Sequence, residues 1–223
     1  MGRVSIIVPM LNEAAVLSDL CEHLAPLARS GVEILFVDGG SQDGSDAIAR
    51  AAGFCVLMSA AGRARQMNAG ARAARGDVLL FLHADTRLPD GAVPAVEAAL
   101  QSHLWGRFDV RIEGRSWMLR VVAALMNLRS RLTGIATGDQ TLFMTRSAYE
   151  AVGGFPDQPL MEDIEISRSL KRLGPPACLR LRVTTSGRRW ETRGVWRTIV
   201  LMWWLRWRYW RGVPAEVLAR AYR

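Results

Sequence analysis

Val78-Leu79-Leu80-Phe81-Leu82-His83-Ala84-Asp85-Thr86 is an unbroken apolar run that stops at a polar cluster. Such a run reads as a strand covered on both faces, the pattern of a parallel sheet between helices. Residues 5–9, 34–38 and 55–58 repeat the pattern, and helical periodicity fills 13–29, 45–52 and 63–75 between them. Asn12 and Ser45 are candidate N-caps, while Gly31, Gly53 and Gly76 stand where helices should stop. The β-α-β-α-β-α-β order predicts an α/β fold with a mainly parallel sheet and right-handed crossovers.

Beyond residue 100 the pattern loosens. Residues 108–112 alternate like a strand with one wet face, and 116–132 read as a helix rich in Arg on one side. Residues 141–145 read as a strand, 161–173 as a helix, and Gly153-Gly154-Phe155-Pro156-Asp157 as a loop. We expect one domain over 1–190 and a helical appendage over 191–223.

Half of the 223 residues are hydrophobic, enough for a core without disulfides or structural metal. Cys21, Cys55 and Cys178 are scattered, which suits reduced, mostly buried thiols in a cytoplasmic setting. The net charge of +8 comes almost wholly from Arg, Lys171 being the only lysine, and favours anionic partners. No uncharged apolar run reaches the roughly 18 residues of a membrane-spanning helix, and the N-terminal stretch is too short for a signal peptide.

In open parallel sheets, ligands bind beyond the carboxyl ends of the strands. Four polar clusters fall there: Pro9-Met10-Leu11-Asn12-Glu13, residues 38–45, Arg63-Ala64-Arg65-Gln66-Met67-Asn68, and His83-Ala84-Asp85-Thr86. Taken singly, the first two are as readily a helix cap and a turn as a binding site. Asp85 is harder to dismiss, because a carboxylate after a buried strand needs a cation or donor. A hard divalent cation bridging diphosphate oxygens would serve; His83 is the weaker neighbour. Arg63 and Arg65 at a helix start suit a phosphate but could equally be solvated charges. A second acidic group comprises Asp139, Glu162, Asp163 and Glu165. Acids at a helix start are favoured by the macrodipole; Asp163 is also a candidate general base.

The ordered set Ser5–Glu13, Val37–Ser45, Phe81–Thr86 and Met161-Glu162-Asp163 resembles family 2 of the glycosyltransferases, over roughly residues 4 to 175. That family has the GT-A fold. Trp105–Val110, Leu128–Gln140 and Arg188-Arg189-Trp190-Glu191 are similar to a narrower subgroup labelled as radical-SAM/selenodomain-associated or arsenosugar-biosynthesis transferases. The resemblance implies a nucleotide-diphosphate sugar donor, UDP-linked, and a small-molecule or lipid acceptor hydroxyl attacked with inversion. It implies that Pro9, Leu11, Glu13, Asp38, Arg65 and Asn68 line the donor pocket. Asp85 would hold a divalent metal (Mn2+ or Mg2+) on the diphosphate, with His83 as a second candidate ligand. Asp163 would be the base, and Asp139, Gln140, Glu162, Arg188 and Arg189 would lie on the acceptor or diphosphate side. His83 departs from the family, replacing the usual first acid of the metal motif. The rivals are a degenerate sugar-nucleotide- or membrane-binding protein and a sugar nucleotidyltransferase. The latter needs a Gly-rich basic loop after the first strand, where this chain has Met10-Leu11-Asn12-Glu13. Nucleic-acid binding is disfavoured, since no aromatic platform accompanies the basic residues.

The segment 194–212 places Trp196, Val200, Trp203, Trp207 and Trp210 on one helical stripe flanked by Arg. Either the stripe packs on the domain, or the helix is interfacial and rests on an anionic membrane as a peripheral attachment to its cytoplasmic face.

Overall fold

The computed structural model describes residues 3–222. The first half is built as the sequence predicts. Strands β1 (Val4–Met10), β2 (Glu33–Asp38), β3 (Cys55–Met58) and β4 (Val78–Phe81) alternate with α1 (Ala14–Arg29), α2 (Ser45–Ala51) and α3 (Arg63–Ala73). They pair in parallel in the order β3-β2-β1-β4. All seven residues of β1 are buried, and the two faces of each strand feed different layers. Ile6, Val8, Phe36 and Leu80 join the core under α1. Ile7, Val37, Leu79 and Phe81 join the core under α3. Each such side chain stabilises the fold by about 1.5–3 kcal/mol relative to exposure.

The second half makes the sheet mixed. It contains β5 (Thr86–Arg87), α4 (Ala92–Ala99), β6 (Trp105–Glu113), α5 (Met118–Thr133), a 3-10 turn (Gly138–Gln140), β7 (Leu142–Thr145), α6 (Arg146–Ala151), α7 (Glu162–Lys171) and β8 (Ala177–Ser186). The full order is β3-β2-β1-β4-β7-β6-β8-β5. Strand β7 runs antiparallel to β4 because the chain enters it from the 3-10 turn, which lies beside the end of β4. β6 is antiparallel to β7, and β8 is parallel to β6. This is the α/β architecture expected, with a mixed second half in place of further parallel strands.

Some expectations fail for local reasons. Asn12 does not cap α1. Its φ is +56°, and its side-chain oxygen accepts from the Gln42 N–H. Ser45 does not cap its own helix either: Gly44 holds that place, and Ser45 Oγ instead accepts from the Glu13 N–H. Cys21 is buried but Cys55 is exposed, because β3 is the edge strand.

Arg107 on β6 is wholly buried and pairs with Asp109, which also takes Arg131 from α5. Asp109→Ala would leave the Arg107 charge buried without its partner. We expect it to cost about 3–5 kcal/mol, measurable as a drop in urea midpoint at unchanged slope.

The chain ends with α8 (Arg188–Arg193), α9 (Val195–Trp210) and α10 (Ala215–Tyr222). α9 does pack on the domain, but not through its tryptophans. Leu205, with Leu201 and Met202 beside it, meets Leu160, Met161, Ile164 and Leu218. Trp196, Trp203, Trp207 and Trp210 lie on the outer side, 53–72% exposed. The reading in which the Trp stripe is buried against the domain is therefore corrected. Among the described residues no helix is long and apolar enough to cross a membrane.

Candidate functional site

The first two clusters are stitched to each other by side chains. The Asn12, Glu13 and Ala14 N–H groups donate to Ser41 Oγ, Ser45 Oγ and Asp43 Oδ2, each at 2.9 Å. The free N–H groups at the start of α1 are thus satisfied by the loop after β2. Gln66 reaches under both strands: its Nε2 donates to the Met10 and Val37 carbonyls. Asp38 is buried and accepts from the Ser41 N–H and hydroxyl. Leu11 stands exposed at the rim, while Pro9 is a covered strand residue.

Beyond β4 the chain places Asp85 opposite Glu13. Burial, then the Asp85 charge, raises the Glu13 carboxyl above its ordinary value, although Arg188 opposes both. Arg188 Nη2 lies 3.5 Å from Glu13 Oε2 and spans the mouth from the end of β8. His83 turns the other way, its Nδ1 3.4 Å from Asp139 Oδ1. Its ring lies against Gly138, where a Cβ would come within 2.3 Å of it. Only glycine lets the 3-10 turn approach this closely.

That turn carries the line of contacts to α7. The Gly138 N–H donates to Asp163 Oδ2 at 2.9 Å, and the Ile164 N–H donates to Oδ1 at 2.8 Å. Burial, then the neighbouring Glu162 charge, pushes the Asp163 carboxyl up to about 6. A carboxyl so placed changes protonation close to working pH, as a general base requires. Asp139 behaves oppositely. Burial would raise it, but the His83 hydrogen bond and the charges of His83, Arg63 and Arg189 hold it below its ordinary value. Its side chain keeps 44% of its surface open to the cleft.

Cations surround this group. Arg63 Nη1 lies 3.2 Å from buried Glu162. Arg129, near the end of α5, has its Nε and Nη2 shielded from solvent with no protein partner. Burial works against its charge, and Asp163 and Asp139 support it. Tyr222 stacks on Arg189 at 3.8 Å and accepts from it, and senses Arg63, Asp139 and Asp163. Arg129 and Tyr222 were not legible as site residues: Arg129 lies within the Leu128–Gln140 stretch but was given no role there, Tyr222 stands in no motif, and both arrive by packing of α5 and α10. Arg63 carried a signal in its helix-start position.

Three expected donor-side or acceptor-side residues have other work. Asn68 is fully engaged: its Oδ1 accepts from Tyr149 and from the Phe155 N–H, and its Nδ2 donates to the Phe155 carbonyl. It fastens the 153–157 loop instead of facing the mouth. Arg65 is exposed and bound to Asp157 at 2.8 Å. Gln140 is buried and closes a capping box with Thr137. The non-glycine residues with positive φ, Asn12, Thr141 and Met161, each adjoin one of these clusters. Such strain costs about 1–3 kcal/mol apiece and gathers where function over-determines the backbone. A separate concavity at the opposite strand ends, lined by Asp77, Glu97 and Arg146, brings together none of these clusters.

A parallel β3-β2-β1-β4 half continued by an antiparallel β7 is the architecture of a GT-A-type glycosyltransferase fold. The chain belongs to glycosyl transferase family 2, whose family model matches residues 5–149. Among curated relatives, the undecaprenyl-phosphate 4-deoxy-4-formamido-L-arabinose transferase of Pseudomonas paraeruginosa is 31% identical over 166 residues, 67% of this chain and 49% of that protein. The Aeromonas hydrophila protein of the same name is 29% identical over 61% of this chain and 46% of its own. The chain thus spans about half the length of the curated relatives it matches. Among solved structures, glucosyl-3-phosphoglycerate synthase from Mycobacterium tuberculosis with Mg2+ and UDP superposes with a TM-score of 0.63 at 21% identity, covering 82% of this chain and 70% of that one. A mannosyltransferase from Pyrobaculum calidifontis with GDP-Man and Mn2+ gives 0.64 at 21% identity, covering 82% and 56%. At these identities the likeness is one of fold.

Proposed function

We propose that the chain moves a glycosyl group from a nucleoside diphosphate sugar to a lipid-linked acceptor at the cytoplasmic face of a membrane. The observation that carries this reading is the pair of contacts His83–Asp139 and Gly138–Asp163, which join the segment after β4 to the start of α7 and so support a donor side and an acceptor side next to each other. UDP is our choice of nucleotide; the neighbours above were solved with UDP in one case and a guanosine nucleotide in the other. The lipid acceptor draws on the names of the curated relatives. None of the relatives named above carries the narrower radical-SAM or arsenosugar label, and we do not carry it forward. In this reading 1–190 is the transferase unit and 191–223 its membrane-facing appendage, with the outward Trp stripe of α9 against anionic headgroups.

The acceptor oxygen attacks the anomeric carbon from the face opposite the diphosphate. The new C–O bond forms as the bond to the diphosphate oxygen breaks, and the configuration inverts. If the acceptor is a hydroxyl, Asp163 receives its proton. If it is a phosphate monoester, with a second pKa of about 6, the nucleophile is already ionised and Asp163 need only orient it beside Arg129 and Arg63. Arg188 and Arg189 lie where they can offset charge on the departing nucleoside diphosphate.

A divalent cation fits the donor rim. Burial and then the neighbouring Asp85 charge raise the Glu13 carboxyl, and positive charge there would offset the repulsion between the two acids. Asp85 would hold it, with Glu13 beside it; His83 is less suited, since Asp139 engages it. No cluster of three or more ligating side chains exists among the described residues, so the diphosphate and water would supply the remaining ligands. When bound, the cation neutralises diphosphate charge.

A thermal-shift screen of UDP, GDP and their sugars, with and without Mn2+ or Mg2+, tests the donor reading. At a hundredfold excess over Kd, one nucleoside diphosphate is expected to raise Tm by about 5–10 °C. No shift with any nucleotide would leave the non-catalytic rival standing.

A further inference from the structure

α5 carries an outward apolar stripe of its own. Trp117, Val121, Leu125, Leu128 and Leu132 recur every three or four residues and are all exposed. The helix also has an inward face, Leu119, Val122 and Ala123, in the core. It therefore presents apolar side chains in two opposite directions, and only one of them is used by the fold. A large exposed apolar patch marks an interaction surface.

α9 is anchored beside both ends of α5. Glu191, just before α9, accepts from the Arg115 N–H just before α5. Ile135, just beyond the end of α5, packs in the cluster that holds Leu205 of α9. Neither helix contains a single Asp or Glu; Arg120 of α5 and Arg197 of α9 are exposed, whereas Arg129 turns inward and Arg131 pairs with Asp109. We propose that α5 and α9 together form a two-helix platform that lies in the headgroup layer of an anionic bilayer. Tryptophan prefers the headgroup boundary, leucine reaches the acyl region, and arginine takes lipid phosphate. The charge separates this partner from a second copy of the chain: face-to-face pairing would bring together helices that lack acids and each expose an arginine.

The platform ends at the cleft. α5 leads through Ile135 to Gly138 and Asp139, and Leu205 of α9 packs on the residues that bracket Glu162 and Asp163. An acceptor head held in the headgroup layer is thereby delivered to the acidic rim. This delivery rests on the lipid-acceptor reading above; the docking itself does not.

The test is flotation of the full chain with phosphatidylcholine vesicles, with and without about one third phosphatidylglycerol. The unchanged chain should float with the anionic vesicles and largely lose binding without phosphatidylglycerol. The triple variant Leu125→Ser/Leu128→Ser/Leu132→Ser should lose on the order of tenfold in partitioning, as should Trp203→Ser/Trp207→Ser. Both variants should keep the nucleotide-induced Tm shift of the unchanged chain, which shows that they fold. Flotation of the α5 variant equal to that of the unchanged chain would overturn the platform, as would an unchanged chain that ignores anionic vesicles. A chain that runs as a dimer, and becomes a monomer in the α5 variant, would also overturn it. A chain that shifts with nucleotide but does not float refutes the platform and leaves the donor reading. A chain that floats without any nucleotide shift does the reverse.

Discussion

Asp163→Asn is expected to cut transfer to a hydroxyl acceptor by about 10²–10⁴ in kcat while leaving the nucleotide-induced Tm shift intact. The amide oxygen can still accept from the Gly138 N–H, as Asp163 Oδ2 does at 2.9 Å. The turn should therefore hold its place, and only the ability to take a proton is lost. In the unchanged protein, activity on a hydroxyl acceptor should rise as pH passes upward through about 6, where Asp163 loses its proton. The stability effect has the opposite sign. Because the folded-state pKa lies above the ordinary value, the folded protein holds this proton more tightly than the unfolded chain. Stability from this group is present below the ordinary value and falls as pH rises to about 6. Asp163→Asn removes that penalty, so its Tm at neutral pH should rise. Near-normal turnover on a hydroxyl acceptor would show that another group is the base. Normal turnover restricted to phosphate acceptors would identify the acceptor as already ionised.

Asp85→Asn should act on the other rim. Its expected effect is a loss of about 10²–10³ in turnover, the scale seen when one preorganised electrostatic contact in a site is removed. The Tm shift with nucleoside diphosphate should also lose its dependence on Mn2+ or Mg2+. With the Asp85 charge gone, one of the two causes raising Glu13 disappears. His83→Ala is the informative companion. His83 leans on Asp139 and Gly138, so its loss should disturb the acceptor rim and leave the cation dependence of nucleotide binding in place. If His83→Ala abolished that dependence and Asp85→Asn did not, the assignment of the cation ligand would be reversed.

The first half of the fold was legible because its signals are local. Short continuous apolar runs at residues 5–9, 34–38 and 78–82, bounded by turn residues, fit strands buried on both faces, and the structure builds β1, β2 and β4 there. The second half was harder because its order is set by pairing between distant segments. β8 alternates Leu179, Leu181 and Val183 with Arg180 and Arg182, a readable strand pattern, but nothing in that pattern shows that it lies between β6 and β5. The site divides in the same way. Glu13, Asp85 and Asp163 stand at element ends that motif order points to. Arg129 and Tyr222 reach the cleft through helix packing. Asn68 misled because a polar residue one turn into a helix looks the same whether it faces a ligand or fastens a neighbouring loop. The outward stripe of α5 was obscured by reading that helix for its arginines, when its exposed leucines are the feature the core leaves unused.

The placement of β8 also bears on the order of events during synthesis. Both sheet neighbours of the late strand, β6 and the edge strand β5, precede it in the chain, and Arg188 follows it after Gly187. A nascent chain released through about residue 150 would own every segment of the nucleotide-side clusters except the arginine that closes on Glu13. It would lack Asp163 altogether. Domains assemble N-terminal first as they emerge, so the parallel half and its strand-end clusters can form before α7 and Asp163 exist.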